Sequence, residues 1–121
     1  MVDSQKQILI VEDERPLAHA LELKLQHEGF QVAAATNGQE ALDLIKANSF
    51  AVVLLDLIMP VMDGFQVLEH LQSFPNKPVV FVLSNLSQHE DEERVLKLGA
   101  RKMFIKSDTP LTVIVEEIKK V

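Results

Sequence analysis

Four places in the chain set a reactive side chain directly behind a run of apolar residues. Glu12 and Asp13 follow Ile8-Leu9-Ile10-Val11, and Asp56 follows Val52-Val53-Leu54-Leu55. Ser84 closes Val79-Val80-Phe81-Val82-Leu83, and Lys106 follows Met103-Phe104-Ile105. If those runs are neighbouring strands, two or three acids, a hydroxyl and an ammonium share one edge. Carboxylates at contact distance resist joint ionisation unless a cation shares them. A hard divalent ion, Mg²⁺ above all, takes one or two carboxylates and keeps room for phosphate oxygens. A lysine and a hydroxyl opposite the metal complete a pocket for a phosphoryl group. A carboxylate inside that pocket can act as nucleophile and carry the phosphoryl as an acyl phosphate. Each residue also has a plainer reading. Asp13, ahead of Arg15-Pro16, can be a helix N-cap; Ser84 can be a turn hydroxyl and Lys106 a solvated end. Asp56 is harder to dismiss, because a charge abutting a buried strand is desolvated unless partnered.

The elements that would position these residues are legible. Five short apolar runs recur, at residues 7–11, 31–35, 51–55, 79–83 and 102–105. Three are nearly unbroken in Ile, Leu, Val or Phe, as strands covered on both faces tend to be. Helical spacing fills the gaps. Ala18, Leu21 and Leu25 mark a first helix stopped near Gly29, and Asn37 can cap a second carrying Ala41, Leu44 and Ile45. A third runs from Gly64 to about Ser73, with Val67, Leu68 and Leu71 inward. A fourth follows Ser87, carries Val95 and Leu98, and ends at Gly99. Thr109-Pro110 reads as cap and first-turn proline of a fifth, with Leu111, Ile114, Val115 and Ile118 on one face. Fivefold strand–helix alternation predicts a parallel sheet between helices, with the site beyond the carboxyl ends of its strands. The second run ends in uncharged Thr36-Asn37 and suits a peripheral strand.

Composition excludes several functions. With 121 residues the chain is predicted to form one domain, residues 1–121. A formal charge of −6 argues against gripping nucleic acid or an anionic membrane through a basic face. The absence of cysteine removes thiol catalysis, Cys-ligated zinc and iron–sulfur clusters, and six Phe with no Trp or Tyr make a poor base-stacking platform. No apolar stretch is long enough for a signal-peptide core or a membrane span, so the expected location is the cytoplasm. Neither G-x-G-x-x-G nor a Walker loop is present.

The motifs resemble those of one family. Ile8 to Glu14, the stretch Asp56-Leu57-Ile58-Met59-Pro60-Val61-Met62-Asp63-Gly64, Leu83-Ser84, Gly99-Ala100 and Phe104-Ile105-Lys106 resemble the receiver domain of bacterial two-component response regulators, in order and over essentially the whole chain. The resemblance implies an α/β, flavodoxin-like (βα)5 doubly wound parallel sheet with strand order 2-1-3-4-5. It implies phosphotransfer from a histidine kinase or phosphotransfer protein to Asp56, with Mg²⁺ held by Asp13, Asp56 and the main-chain carbonyl of Ile58, and by Glu12 through water. Lys106 would pair with a phosphoryl oxygen. Ser84 would hydrogen-bond the phosphoryl group and shift when it arrives. The domain would thus catalyse its own phosphorylation and dephosphorylation and switch the binding of a downstream effector. The fourth helix, fifth strand and fifth helix form the family's usual dimer and output face, so a homodimer through that face is implied.

Three positions depart from the family pattern. Met103 replaces the usual aromatic switch residue, Ser107 the proline after the lysine, and Asn85 the small residue after Ser84. A cis bond before a non-proline residue costs about 2.5–4 kcal/mol. The Lys106–Ser107 bond is therefore predicted trans, with a rearranged loop and Pro110 starting the last helix. The positions two beyond Asp56 and two beyond Ser84 are Ile58 and Leu86; neither can orient water, so slow dephosphorylation is expected. The competing reading is a phosphorylation-independent, pseudo-receiver docking module. A metal-dependent phosphohydrolase fits less well. Haloacid-dehalogenase-type enzymes place a second Asp two residues after the nucleophile, where this chain has Ile58, and the D-x-D of topoisomerase–primase-type domains fails at the same position.

Overall fold

The structure is a computed structural model that describes residues 6–85 and 89–121. Five strands, β1 (Gln7–Val11), β2 (Gln31–Ala35), β3 (Val52–Leu55), β4 (Val79–Ser84) and β5 (Lys102–Ile105), alternate with five helices. These are α1 (Arg15–His27), α2 (Gly38–Ala47), α3 (Gly64–Leu71), α4 (His89–Lys97) and α5 (Leu111–Lys119). All pairings are parallel, as the apolar runs predict, and the order is β2-β1-β3-β4-β5, as the family resemblance implies. β2 is the half-exposed edge strand expected from its uncharged end.

Both faces of the sheet are buried, which explains the unbroken apolar runs. Ile8, Ile10, Val52, Leu54, Phe81 and Phe104 pack with Leu21 and Leu25 of α1 and Ile114, Val115 and Ile118 of α5. The alternate residues Leu9, Val11, Val53, Leu55, Val80 and Val82 pack with Ala41, Ile45, Val67, Leu68, Leu71 and Val95 of α2, α3 and α4. Side chains alternate across a strand, so each strand feeds two cores.

Helix boundaries carry the differences from expectation. Asn37 caps α2 as predicted, accepting from the Glu40 N–H at 2.9 Å. Asp13 does not cap α1: the N-cap residue is Glu14, with no side-chain cap bond. α3 ends at Leu71, short of Ser73. Pro110 is the N-cap of α5 rather than its first helical residue, because the segment ahead of it, Lys106–Asp108, winds into a 3₁₀ turn. No cis peptide bond occurs among the described residues, so Lys106–Ser107 is trans as expected. The predicted start of α4 at Ser87, and Leu86, lie outside the described residues.

Candidate functional site

Register brings the site together. Val11 lies opposite Leu55, Leu55 opposite Val82, and Ser84 opposite Ile105. The residues that follow therefore line one edge. The ladder continues one step past the strands, with the Asp56 N–H donating to the Val11 carbonyl and the Glu12 N–H to that of Ala35, both at 3.0 Å. Among the described residues the buried polar or charged ones are Glu12, Asp56 and Ser84, and all three stand at this edge. Elsewhere the interior is apolar. Concentrating polarity at one point of a hydrophobic core is expensive unless the groups serve one another.

Lys106 makes that pairing. Its Nζ lies 3.0 Å from Glu12 Oε1, 3.1 Å from Asp56 Oδ2 and 2.6 Å from Glu14 Oε1. Burial alone would lower the pKa of this ammonium, but hydrogen bonds to Glu14, Glu12 and Asp56 outweigh it and the value is raised. Lys106 is a permanent cation here. Glu12 moves the other way for a carboxyl: burial pushes it up to about 7, reinforced by the Asp56 charge and opposed by hydrogen bonds from Lys106 and the Glu14 N–H. One ammonium does not neutralise this much buried carboxylate.

Asp13 is exposed, beside the buried pair. One carboxylate oxygen from each of Glu12, Asp13 and Asp56 lies within 4.8 Å of the others. This all-oxygen set fits a hard divalent ion, which would offset the negative charge that three neighbouring carboxylates concentrate here.

The loop from Asp56 to α3 is pinned tightly. The Ile58 N–H points at Asp56 Oδ1 at 3.4 Å, and the Gly64 N–H donates to the Leu57 carbonyl at 2.9 Å. A Cβ on Gly64 would stand 2.4 Å from the Asp56 carbonyl, so only glycine fits. Asp63 then opens α3 with a capping box, accepting from the Gln66 N–H while the Gln66 side chain accepts from the Asp63 N–H. Between these anchors the Met62 N–H donates to the Pro60 carbonyl at 2.8 Å, around Val61 at φ +71°. That is a γ-turn with a β-branched residue at positive φ, a strained arrangement. Gly38 locks the loop from the α2 side, donating to the Met62 carbonyl at 3.2 Å, and a Cβ there would meet that carbonyl at 2.4 Å.

Glu12, Asp13, Asp56 and Lys106 thus converge, and Ser84 ends the neighbouring strand. Ile58 joins through its backbone N–H, with its side chain 60% exposed. Met103 is buried in the core on the α2–α4 side, and Asn85 is exposed beyond Ser84. Sequence reasoning missed Glu14, Gly38 and the capping role of Asp63. Only the last had a visible signal, an acid three residues ahead of Gln66.

The sequence profile of the response regulator receiver domain matches residues 8–118. The chain belongs to that receiver family. It is 36% identical over 110 residues to the transcriptional regulatory protein SrrA of Staphylococcus aureus, covering 89% of this chain and 44% of that protein. The receiver domain thus spans less than half the length of that curated relative. Among solved structures, the Francisella response regulator 1452 receiver domain superposes with TM-score 0.90 at 26% identity, covering 96% of this chain and 95% of that one. The Thermotoga maritima response regulator TrrA, in complex with Mg²⁺–BeF, superposes with TM-score 0.84 at 28% identity, covering 96% and 98%. The receiver domain of a Syntrophus aciditrophicus signal transduction histidine kinase reaches TM-score 0.85 at 30% identity, covering 95% and 88%. Among the described residues of this receiver domain, no helix is long and apolar enough to cross a membrane.

Proposed function

We propose that this receiver domain accepts a phosphoryl group on Asp56 from a histidine kinase or phosphotransfer protein, and that the modified domain changes its binding to a downstream effector. The observation that carries the reading is one half-buried ammonium shared by two buried carboxylates, beside a third carboxylate, at the carboxyl edge of the sheet. An Asp56 oxygen attacks phosphorus, a new O–P bond forms, and the donor departs with the electrons of its own bond to phosphorus. Lys106 holds Asp56 in place and meets the charge that arrives on the phosphoryl oxygens. Glu12, Asp13, Asp56 and the Ile58 carbonyl would hold Mg²⁺, which when bound offsets negative charge on carboxylates and phosphoryl oxygens alike. Ser84 offers a hydroxyl at the same edge, and its movement toward the modified aspartate, followed by repacking of Met103, is the proposed switch. The relative SrrA is a transcriptional regulatory protein, which supports an effector in gene control and a cytoplasmic setting.

The test is to treat the domain with acetyl phosphate and Mg²⁺ and follow its intact mass. A gain of one phosphoryl group that disappears in Asp56→Asn is the expected result. No gain at any donor concentration would leave the phosphorylation-independent docking reading in its place.

A further inference from the structure

We infer that Glu14 acts as a displaceable stand-in for the phosphoryl group on Lys106, a positioning residue that restrains occupancy of the site. The inference rests on Asp56 being the phosphoacceptor and concerns how that site is regulated. An ammonium has three donors and no acceptor. Here three carboxylates take them: Glu12, Asp56 and, at the shortest distance of 2.6 Å, Glu14. A phosphoryl group on Asp56 brings three strong acceptor oxygens and further negative charge. The Asp56 carboxylate becomes an acyl phosphate, so one phosphoryl oxygen can inherit its contact with Lys106, and a second can reach the ammonium only if Glu12 or Glu14 releases it.

Burial decides which one. The Glu12 side chain is 2% exposed, so it cannot recover water on leaving the ammonium. Glu12 also accepts the Glu14 N–H at 3.1 Å, which ties it down a second time. The Glu14 side chain is 57% exposed and turns into solvent at little cost. Its backbone stays fixed as the N-cap residue of α1, so only side-chain torsions need change. The carboxylate of Glu14 thus holds the ammonium face that a phosphoryl oxygen would claim, and it leaves when that oxygen arrives. The contact is an ion pair with one exposed partner, and such pairs shift equilibria by a factor of up to about five.

Beryllofluoride with Mg²⁺ is the probe, with binding followed through backbone amide resonances of wild type, Glu14→Gln and Glu14→Asp. Gln removes the charge; Asp keeps it but is one methylene too short for the Lys106 contact. Both variants are expected to lower the half-saturating beryllofluoride concentration about two- to fivefold, while unliganded spectra change only around Lys106. If Asp behaves as wild type and only Gln tightens binding, through-space charge is responsible and the contact model fails. If neither variant tightens binding while wild type saturates, Glu14 does not compete, and the Asp56 reading stands without it. If wild type shows neither saturation nor phosphoryl uptake, the phosphoacceptor reading fails and takes this inference with it.

Discussion

The raised Glu12 makes this domain's stability depend on pH in a direction opposite to that of most acidic groups. Its carboxyl sits at about 7 in the folded chain against an ordinary 4.5. Between those values the native state holds a proton that the unfolded state has released. Stability therefore falls as pH rises through that window, and levels off above it. Each pH unit is worth about 1.4 kcal/mol, so the ceiling is about 3 kcal/mol; sharing of the charge with Asp56 and Lys106 brings the expected figure nearer 1–2 kcal/mol. For a chain of this size that is a fall in Tm of about 4–8 °C. Lys106 does not obscure the window. Its raised pKa contributes stability that is fully present below the ordinary lysine value of 10.5 and is lost only as pH rises beyond its folded value.

Glu12→Gln isolates the effect. The amide keeps the shape, and its oxygen can still accept from Lys106, but its NH₂ cannot replace the oxygen that accepts the Glu14 N–H. That mismatch shifts stability by a constant amount of about 1 kcal/mol at every pH. The other titrating groups are common to both proteins and cancel in the difference. Thermal melts without divalent ions, from about pH 5 to about pH 8, should show wild type losing stability relative to Glu12→Gln along that range. Adding Mg²⁺ should reverse the trend for wild type, since a metal favours the ionised carboxylate and stabilises most where Glu12 is charged. Parallel wild-type and variant curves across the range would refute the argument, because they would mean that the buried carboxyl is ionised throughout.

The loop after Asp56 yields three further expectations. Val61 is 80% exposed at φ +71° and gains no burial from its side chain; Val61→Asn, which tolerates that region, should raise stability by about 1 kcal/mol in urea unfolding. Gly64→Ala should lower it by about 2–4 kcal/mol and slow phosphoryl uptake from acetyl phosphate, since the new Cβ must push the Asp56 carbonyl or the Leu57 backbone aside. Ile58 offers no polar atom beyond its backbone, so Ile58→Asn should shorten the lifetime of phosphorylated Asp56 several-fold by orienting water; an unchanged lifetime, followed by intact mass after donor removal, would count against a hydrolytic role for this position.

Much of the fold was legible because a parallel sheet covered on both faces writes itself as continuous apolar runs. Leu54 and Leu55 face opposite cores, so no polar residue interrupts them, and the first charge after them stands out. Asp56 and Glu12 stood out for this reason before any family motif was considered: each is a charge where the pattern requires an apolar residue or a strand end. Glu14 carried no such mark. An exposed acid at the start of a helix is ordinary, and its partner Lys106 lies 92 positions away. Gly38 was hidden likewise, since what forbids a Cβ there is a carbonyl from the loop ahead of α3, a contact fixed only by the packing of α2 on α3. Val61 runs against local preference outright. Its positive φ is imposed by anchors on either side, where Gly38 holds the Met62 carbonyl and Gly64 holds the Leu57 carbonyl, and local sequence rules cannot foresee a conformation set by tertiary contacts.

The segment after Lys106 shows how a departure from the family pattern was absorbed. With Ser107 in place of proline, the peptide stays trans and residues Lys106–Asp108 wind into a 3₁₀ turn, which moves the start of α5 to Leu111 and leaves Pro110 as a cap without a side-chain acceptor. The turn begins at Lys106 and leaves the strand before it intact. Met103 and Phe104 just before it remain buried in opposite cores, and the ammonium reaches Glu12 and Asp56 at hydrogen-bonding distance. The reason is positional. Lys106 directly follows β5, whose register with β4 is fixed from Phe81–Lys102 to Ser84–Ile105, so the strand sets where the chain enters the turn that Lys106 opens. The loss of the proline should therefore alter the mobility of the 106–110 turn before it alters phosphoryl uptake. Ser107→Pro would separate the two: hydrogen exchange in the turn should change, while the rate of phosphoryl gain from acetyl phosphate stays within about twofold of wild type. A large rate change with an unaltered turn would mean that Lys106 takes its position from the loop after all.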